Sequence, residues 1–258
     1  MNNMDKQKKL IGSIKKASDI LSLISDEKRP MGITELTQRT DLPKATIATI
    51  VSTLEAIGYV EKDPFRQKYR LGPQLMQLGL RCIASLDIIT TARAWMERFS
   101  FQFMEPINVG ILVGDSVTIV MRFEPENRYM VFPQAGSTIP LHSTCIGKVF
   151  LAYMNRSERD RILEDYEFVK LTPNTITAKA QLLKELAQVK KTGVSFDHQE
   201  SINGLAGIGG PIFNHVGAAI AGFAVSGNAD RINKLSKEII EAVKFTTGQV
   251  SAQLGYTP

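Results

Sequence analysis

The sequence has little cysteine, few aromatic residues and no long apolar run. It contains two cysteines, Cys82 and Cys145, which excludes a disulfide-stapled secreted scaffold and predicts reduced thiols. No apolar run approaches the roughly 18 residues that a membrane-spanning helix needs. The first residues carry charge but no apolar stretch behind them, so we expect no secretory signal. Together these absences predict a cytoplasmic protein with no membrane partner.

The chain does have enough apolar material, 43% of 258 residues, for one large domain or two modest ones. Its formal net charge is +5, and most of this excess lies near the N-terminus. Residues 1–72 carry 13 Lys and Arg against 9 Asp and Glu, whereas residues 73–258 carry 18 against 17. A locally basic module is what nucleic-acid binding requires, because neutralised phosphates supply its sequence-independent affinity. The alternative is a basic surface that simply faces solvent.

The first module has the periodicity of a winged helix-turn-helix. A helix is followed by a short second helix with Thr34 as its N-cap, a turn at residues 41–43 and a third helix that Gly58 ends. Two short strands, at residues 59–62 and 68–71, then form a basic hairpin. In such a module the third helix reads bases in the major groove, and the wing lies along the backbone or minor groove. The predicted core stripes are Ile14, Ala17, Leu21 and Ile24 in the first helix, and Ile47, Ile50, Leu54 and Ile57 in the third.

The outer face of the third predicted helix is small, polar or cationic. Hydroxyl groups on such a face can bond phosphates or base edges, and threonine methyls can meet the thymine methyl. The hairpin adds cations that would meet phosphates. We therefore expect contacts to a double-stranded DNA operator from Lys44, Ala45, Thr46, Thr49, Thr53, Arg66, Lys68 and Arg70.

Several segments of this module carry a family signature: Ser13–Ile24, Ile33–Leu36, Leu42–Thr46, Thr53-Leu54, Gly58–Val60 and Tyr69–Gly72. They resemble the DNA-binding domain of IclR-type bacterial transcriptional regulators, and the resemblance continues through nearly the whole chain. The recognition helix departs from the family pattern, because it begins Ala45-Thr46-Ile47-Ala48-Thr49 where such domains often have Ser-Thr-Val-x-Arg. We therefore expect affinity to depend more on Lys44, the wing and the N-terminal lysines.

Residues 73–86 predict a linker helix with an apolar stripe, and a further helix follows from residue 87. In the resembled family this linker joins two DNA-binding domains into a dimer. A homodimer, or a dimer of dimers, would let one small module read two half-sites. The alternative is that the apolar stripe packs against the chain's own C-terminal domain.

The second module, residues 87–258, mixes strands and helices, which indicates an α+β domain and hence a chain of mixed α/β class. The resemblance implies a GAF-like effector-binding domain. Strands are predicted at 107–113, 116–123, 129–132, 193–196, 207–213 and 218–226, and helices at 144–154, 156–166, 178–192 and 229–254.

Catalytic and cofactor motifs fail on their spacing. Gly147-Lys148 lacks the glycine and the hydroxyl residue of a phosphate loop, and the glycines at 204–210 lack the last glycine of a dinucleotide fingerprint. His142 and Cys145 are close in sequence, but no acid is placed to orient the histidine. No pair of candidate ligands has a recognised metal spacing. We expect neither catalysis nor a cofactor, and a metabolite-binding enzyme with an incidental basic head is the alternative.

The run Pro140–Ala152 carries the most specific resemblance in the second module. It implies that a loop and a helix start form one wall of an effector pocket, where backbone N–H groups attract a carboxylate. Gly207 and Ala224 stand where family members often have Cys or Ser, which favours a bulkier, more apolar organic acid, aromatic acids included. Whether the ligand promotes repression or activation stays open. The implied effector-binding residues are Met130, Ile139, Thr144, Cys145, Ile146, Asp197, Leu205, Gly207, Ala224 and Ser226.

Overall fold

The computed structural model describes residues 11–27, 29–84, 87–125 and 133–257. The chain divides into two units, Met1–Ser85 and Leu86–Pro258. No single helix among the described residues is long and apolar enough to cross a membrane, and one helix pair, Pro73–Cys82 with Asp87–Phe103, passes that test only when its members are joined.

The N-terminal unit is a winged helix-turn-helix, as the sequence predicts. Its two strands pair antiparallel, and Met31 adds an isolated bridge to Tyr69 through two backbone hydrogen bonds of 2.8 Å. The three helices and the hairpin enclose one apolar core. The elements are α1 Gly12–Asp26, α2 Ile33–Arg39, α3 Lys44–Ala56, β1 Val60–Lys62, β2 Tyr69–Leu71 and α4 Pro73–Ala84.

Three details of this unit differ from the prediction. Thr34 is not the N-cap of α2, because the helix begins at Ile33, two residues earlier than predicted. Gly32 is the N-cap, and Glu35 Oε2 accepts its N–H at 2.7 Å. Ile14 and Ile57 were expected in the core, but they are 65% and 51% exposed. Both helices carry more apolar residues than one stripe can hold, so packing decides which of them are buried. The buried residues are Ile20 and Ile24 in α1, and Ile47, Val51 and Leu54 in α3.

The C-terminal unit is one antiparallel sheet with helices on both faces. The strand order is β5-β4-β3-β8-β7-β6. Helices α5, α9 and α10 share one apolar core with the sheet, and α6 and α8 share the other. The elements are α5 Asp87–Phe103, β3 Ile107–Val113, β4 Ser116–Phe123, β5 Thr138–Ile139, α6 Cys145–Tyr153, α7 Arg156–Ile162, α8 Lys179–Thr192, β6 Ser195–His198, β7 Leu205–Phe213, β8 Ala219–Asn228, α9 Ala229–Lys234 and α10 Ser236–Gln253.

The single helix predicted over residues 229–254 is wrong, because it is interrupted at Leu235. The Asn228 side chain caps the first piece, and Ile232 and Ile239, on either side of the break, belong to the same core. The helix predicted at 156–166 ends at Ile162. No sequence pattern marks β5, which is only two residues long. The strand predicted at 129–132 lies outside the described residues.

Glycines in the middle of this sheet let the helices on both faces approach the strands closely. A Cβ on Gly222 would lie 2.6 Å from Ile146 Cγ2 of α6, and one on Gly207 would lie 3.1 Å from the Cys145 Sγ. On the other face, a Cβ on Gly210 would lie 3.0 Å from Val243 Cγ1 of α10. Helix α6 therefore lies directly on the sheet, and this close approach fixes where its N-terminus is placed.

Candidate nucleic-acid interface and ligand cavity

The predicted recognition face of α3 is accessible to a partner. Lys44, Ala45, Thr49 and Thr53 are exposed, and Thr46 is partly exposed. The Thr49 and Thr53 hydroxyls donate to carbonyls one turn earlier, at 3.0 and 2.9 Å. Their hydrogens are thus used inside the helix, which leaves the hydroxyl oxygens as acceptors and the methyl groups as apolar contacts. Such a face can accept from base amino groups and meet thymine methyls.

The three predicted wing cations differ in their surroundings. Lys68 Nζ lies 3.2 Å from Glu35 Oε2, and Arg70 lies 2.9 Å from Glu61. Arg66 is exposed and forms no salt bridge with another described residue. Of these three side chains, that of Arg66 is therefore the most available to bind a phosphate.

Glu35 ties the base of the wing to the helix-turn-helix. Its carboxylate accepts from the Gly32 N–H, from Arg29 at 2.8 Å and from Lys68. The Gly32 hydrogen bond and the two cations lower the pKa of Glu35 to about 2. Glu35 therefore stays ionised and links the start of α2 to the hairpin.

The C-terminal unit contains a cavity of about 240 Å³ beside the N-terminus of α6. Most of the predicted effector residues line it. Gly207 lies next to it, paired across the sheet with Asp197 and Ser226. Met130 lies outside the described residues. The predicted residues on the cavity wall are Ile139, Thr144, Cys145, Ile146, Asp197, Leu205, Ala224 and Ser226.

Sequence reasoning missed about as many lining residues as it predicted. Asn108 was recognisable from the sequence, because it is the polar residue of the otherwise apolar strand β3; in the structure it is buried. The others lie in loops or within strands and reach the cavity only through tertiary packing, so no local pattern marks them. The missed lining residues are Asn108, Ile119, Pro133, Thr138, Pro140, Leu171, Ser201, Ile202 and Ala206.

The start of α6 forms the polar end of the cavity. Thr144 is the N-cap: its Oγ1 accepts from the Gly147 N–H at 3.1 Å and donates to the Pro140 carbonyl at 2.6 Å. Cys145 and Ile146 follow as the first helical residues, and both line the cavity. The first N–H groups of a helix have no acceptor inside it, so this end of the cavity favours an anion.

Asp197 is buried at the cavity wall and bonded to its own loop. Its Oδ1 accepts from the N–H groups of Glu200, at 2.7 Å, and Ser201, at 3.4 Å, while the Ser201 hydroxyl donates to Oδ2. Burial raises the pKa of Asp197, while these hydrogen bonds and the nearby Lys148 oppose that shift. Asp197 therefore holds the loop that brings Ser201 and Ile202 to the cavity.

The fully buried ammonium of Lys148 also contacts this loop. Its Nζ donates to Glu200 Oε1 at 2.5 Å and to the Phe196 carbonyl at 2.9 Å, and Glu185 lies 3.7 Å away. Burial raises the pKa of Glu200, and the Lys148 charge opposes that shift. The Glu200 backbone carbonyl in turn accepts from Thr175 at 2.7 Å. Lys148 thus connects α6 to the β6–β7 loop.

The Cys145 and His142 pair is not a nucleophile and base. Burial raises the pKa of the Cys145 thiol to about 12, so it stays protonated. Burial also lowers the pKa of His142. Its Nε2 donates to the Val169 carbonyl and its Nδ1 accepts from the Tyr166 hydroxyl, both at 3.0 Å. The imidazole therefore anchors a loop and has no free nitrogen for proton transfer.

Comparisons with known proteins agree with this architecture. Residues 80–252 match the family model of the bacterial transcriptional regulator IclR C-terminal domain, and residues 13–64 match that of the IclR helix-turn-helix domain. The chain is 34% identical over 255 residues to the HTH-type transcriptional regulator KdgR of Escherichia coli, covering 98% of this chain and 97% of that protein.

Two further relatives support the same grouping. The HTH-type transcriptional regulator XynR of Escherichia coli is 29% identical over 224 residues, which cover 87% of this chain and 89% of that protein. The crystal structure of an IclR transcriptional regulator from Alicyclobacillus acidocaldarius aligns with a TM-score of 0.84 and 26% identity, covering 95% of this chain and all of that one. These proteins are transcriptional regulators and not enzymes, which removes the enzyme alternative. The chain belongs to the IclR family of bacterial transcriptional regulators.

Proposed function

We propose that this regulator binds a DNA operator through α3 and the wing, and that a small organic acid in the α6 cavity changes its DNA affinity. The observation that carries the proposal is the cavity at the N-terminus of α6, in a chain that also carries a helix-turn-helix. By linkage, a ligand that alters operator affinity must itself bind with altered affinity when the operator is bound. The protein would act in the cytoplasm, where the DNA is.

The cavity supports a monocarboxylic acid of metabolite size. Its volume, about 240 Å³, is below the roughly 300–1,000 Å³ of pockets for drug-sized ligands. It exceeds the ~150 Å³ of an engineered cavity that holds benzene, so a substituted aromatic ring fits. No cation is found among the described lining residues, so the α6 N-terminus would bind the carboxylate. The nearby Asp197 carboxyl would disfavour a second one.

A homodimer, or a dimer of dimers, completes the proposal. Met76, Leu78 and Leu80 on α4 are 62%, 40% and 58% exposed within the chain. Exposed apolar residues on more than one side of a helix are typical of a helix that packs against a partner. Pairing of α4 with its copy would place two helix-turn-helix modules for two half-sites.

Thermal unfolding across a panel of carboxylic acids tests the effector class. Each acid is paired with its primary alcohol, which has a similar size but no charge. We expect acids of metabolite size to raise the melting temperature of the C-terminal unit and the matched alcohols to leave it unchanged. Stabilisation by sugars or organic cations alone would contradict the proposal.

DNA binding is tested on the region upstream of the protein's own gene. We expect a steep fall of affinity with salt and a footprint with dyad symmetry. Lys44→Glu and Thr49→Glu should each abolish this footprint, since each places a carboxylate on the face that meets the DNA. The control is Lys190→Glu at the end of α8 in the other unit. A footprint retained by both α3 variants would contradict the proposed interface.

A further inference from the structure

The tip of the wing carries an exposed phenylalanine. Phe65 is 94% exposed, the highest value among the large apolar residues that the structure describes. Single exposed apolar residues are common on protein surfaces, so exposure alone indicates nothing. The turn that presents this ring and the charges around it are what point to a partner.

The turn that carries Phe65 is held by several hydrogen bonds. Asp63 Oδ1 accepts from the backbone N–H groups of Phe65, at 2.9 Å, and Arg66, at 3.0 Å. The Asp63 backbone bonds across the hairpin to Lys68 at 2.8 Å and to Gln67 at 3.0 Å. Gln67 adopts a φ of 52°, and its amide donates to the Pro64 carbonyl at 3.1 Å. The backbone of the tip is therefore ordered before it meets any partner, which lowers the entropy lost on binding.

The cations at the base of the wing are paired with carboxylates, whereas the cation at its tip has no such partner among the described residues. Lys68 and Arg70, at the base of the wing, are paired with Glu35 and Glu61. Arg66, beside the phenylalanine, forms no salt bridge with a described residue. A groove between the wing and the start of α3 is lined by Lys44, Lys62 and Arg66 among others. Phe65 thus directly precedes a residue that lines a groove with Lys44 of the recognition helix, and the Glu35 carboxylate of that groove is already paired with Arg29 and Lys68.

We propose that the wing tip is a minor-groove wedge, in which Phe65 inserts against a base step while Arg66 enters the same groove. An apolar side chain beside a cation is the combination that minor-groove proteins use to unstack a step and bend DNA. A wedge selects pyrimidine–purine steps, which deform most easily, without any hydrogen bond to a base edge. It would add specificity to an α3 that lacks the arginine common in the resembled family. This inference rests on the proposed DNA binding.

The test uses the full chain and a duplex that the wild-type protein selects from a random pool. We expect Phe65→Ala to weaken binding about tenfold, since one lost wedge contact is worth roughly the discrimination at one base pair. Its salt dependence should stay unchanged, because the ring neutralises no phosphate. Phe65→Ile should retain most of the affinity, since isoleucine can also act as a wedge. Arg66→Ala should instead lower the salt slope by about 1.

A fluorescent adenine analogue at the step beneath the wing reports unstacking directly. We expect its emission to rise with the wild-type protein and with Phe65→Ile, but not with Phe65→Ala. The matched control is Phe101→Ala, which removes a ring that is 83% exposed in the other unit and should change neither affinity nor emission. Equal affinity and emission for Phe65→Ala and wild type would overturn the wedge while DNA binding stands. Failure of the wild type to select any duplex would overturn the proposed function as well.

Discussion

The two units of this chain place their charges in opposite ways. In the N-terminal unit the ion pairs lie at the surface, as in Lys15 with Asp19 and Arg70 with Glu61. In the C-terminal unit two carboxylates are almost fully buried with cations beside them: Glu200 with Lys148, and Glu105 with Arg231.

This difference separates two uses of charge. Exposed pairs contribute little to stability and are screened by salt, so surface cations stay available for an anionic partner. Buried pairs cost desolvation to form, and breaking one leaves an uncompensated charge inside the protein. The N-terminal unit thus presents charge outward, whereas the buried pair of Lys148 and Glu200 in the C-terminal unit holds the β6–β7 loop at the cavity in place.

The largest expected effect comes from breaking a buried pair. Lys148→Met removes the ammonium and leaves the buried Glu200 carboxyl without its cation, in a site where its Oε2 already has no hydrogen-bond partner. We expect a loss of about 3–5 kcal/mol from the free energy of unfolding of the C-terminal unit. Urea denaturation followed by Trp95 fluorescence, in that unit, measures it.

The control for this variant is a surface pair of the same unit. Arg156 is 88% exposed and bonds Asp160, so Arg156→Ala should cost less than about 1 kcal/mol. Adding Glu200→Gln to Lys148→Met should restore part of the stability, since no buried charge then lacks its partner. Equal costs for Lys148→Met and Arg156→Ala would show that burial does not distinguish the two kinds of pair.

An intermediate effect is expected at the N-cap of α6. Thr144→Ala should cost about 1 kcal/mol and also weaken acid binding, because the start of the helix lines the cavity. Asn155→Ala removes the N-cap of α7, whose side chain accepts from the Glu158 N–H at 2.8 Å. It should cost a similar amount of stability yet leave the affinity for the acid unchanged. Calorimetric titration with the best acid of the panel separates the two, and equal losses of affinity would contradict a local role for Thr144.

The smallest effect is expected from the exposed network around Glu35. Its pKa is about 2 in the folded chain against 4.5 ordinarily, so the unfolded chain binds the extra proton between these values. The stability that Glu35 contributes is therefore present above pH about 4.5 and is lost as the pH falls toward about 2. Hydrogen exchange of the β2 amides should show this loss in wild type and less of it in Glu35→Gln. The same pH dependence in Glu35→Gln as in Glu55→Gln, an exposed residue of α3, would contradict it.

Sequence reasoning succeeded where structure is local or where a motif carries it. Periodicity and turn residues predicted the helix-turn-helix and most strands, and the resemblance at Pro140–Ala152 led to residues that line the cavity. It failed on burial at Ile14 and Ile57, because a helix with surplus apolar residues has more than one possible core face.

The buried network could not have been predicted from the sequence. Lys148 and Glu200 are 52 residues apart, and only the packing of α6 against the β6–β7 loop brings them together. His142 likewise meets Tyr166 across a loop. In a sequence these residues read as ordinary polar positions, since neither spacing nor composition distinguishes a buried lysine from a solvated one.

The glycines beneath α6 affect how the ligand preference of such a regulator can change by mutation. Gly222 does not line the cavity, yet a methyl group there would press on Ile146, which does. Substitutions at Gly222 would therefore change the shape of the cavity by displacing Ile146. Changes of ligand preference among descendants of this chain can therefore originate at residues that no ligand touches.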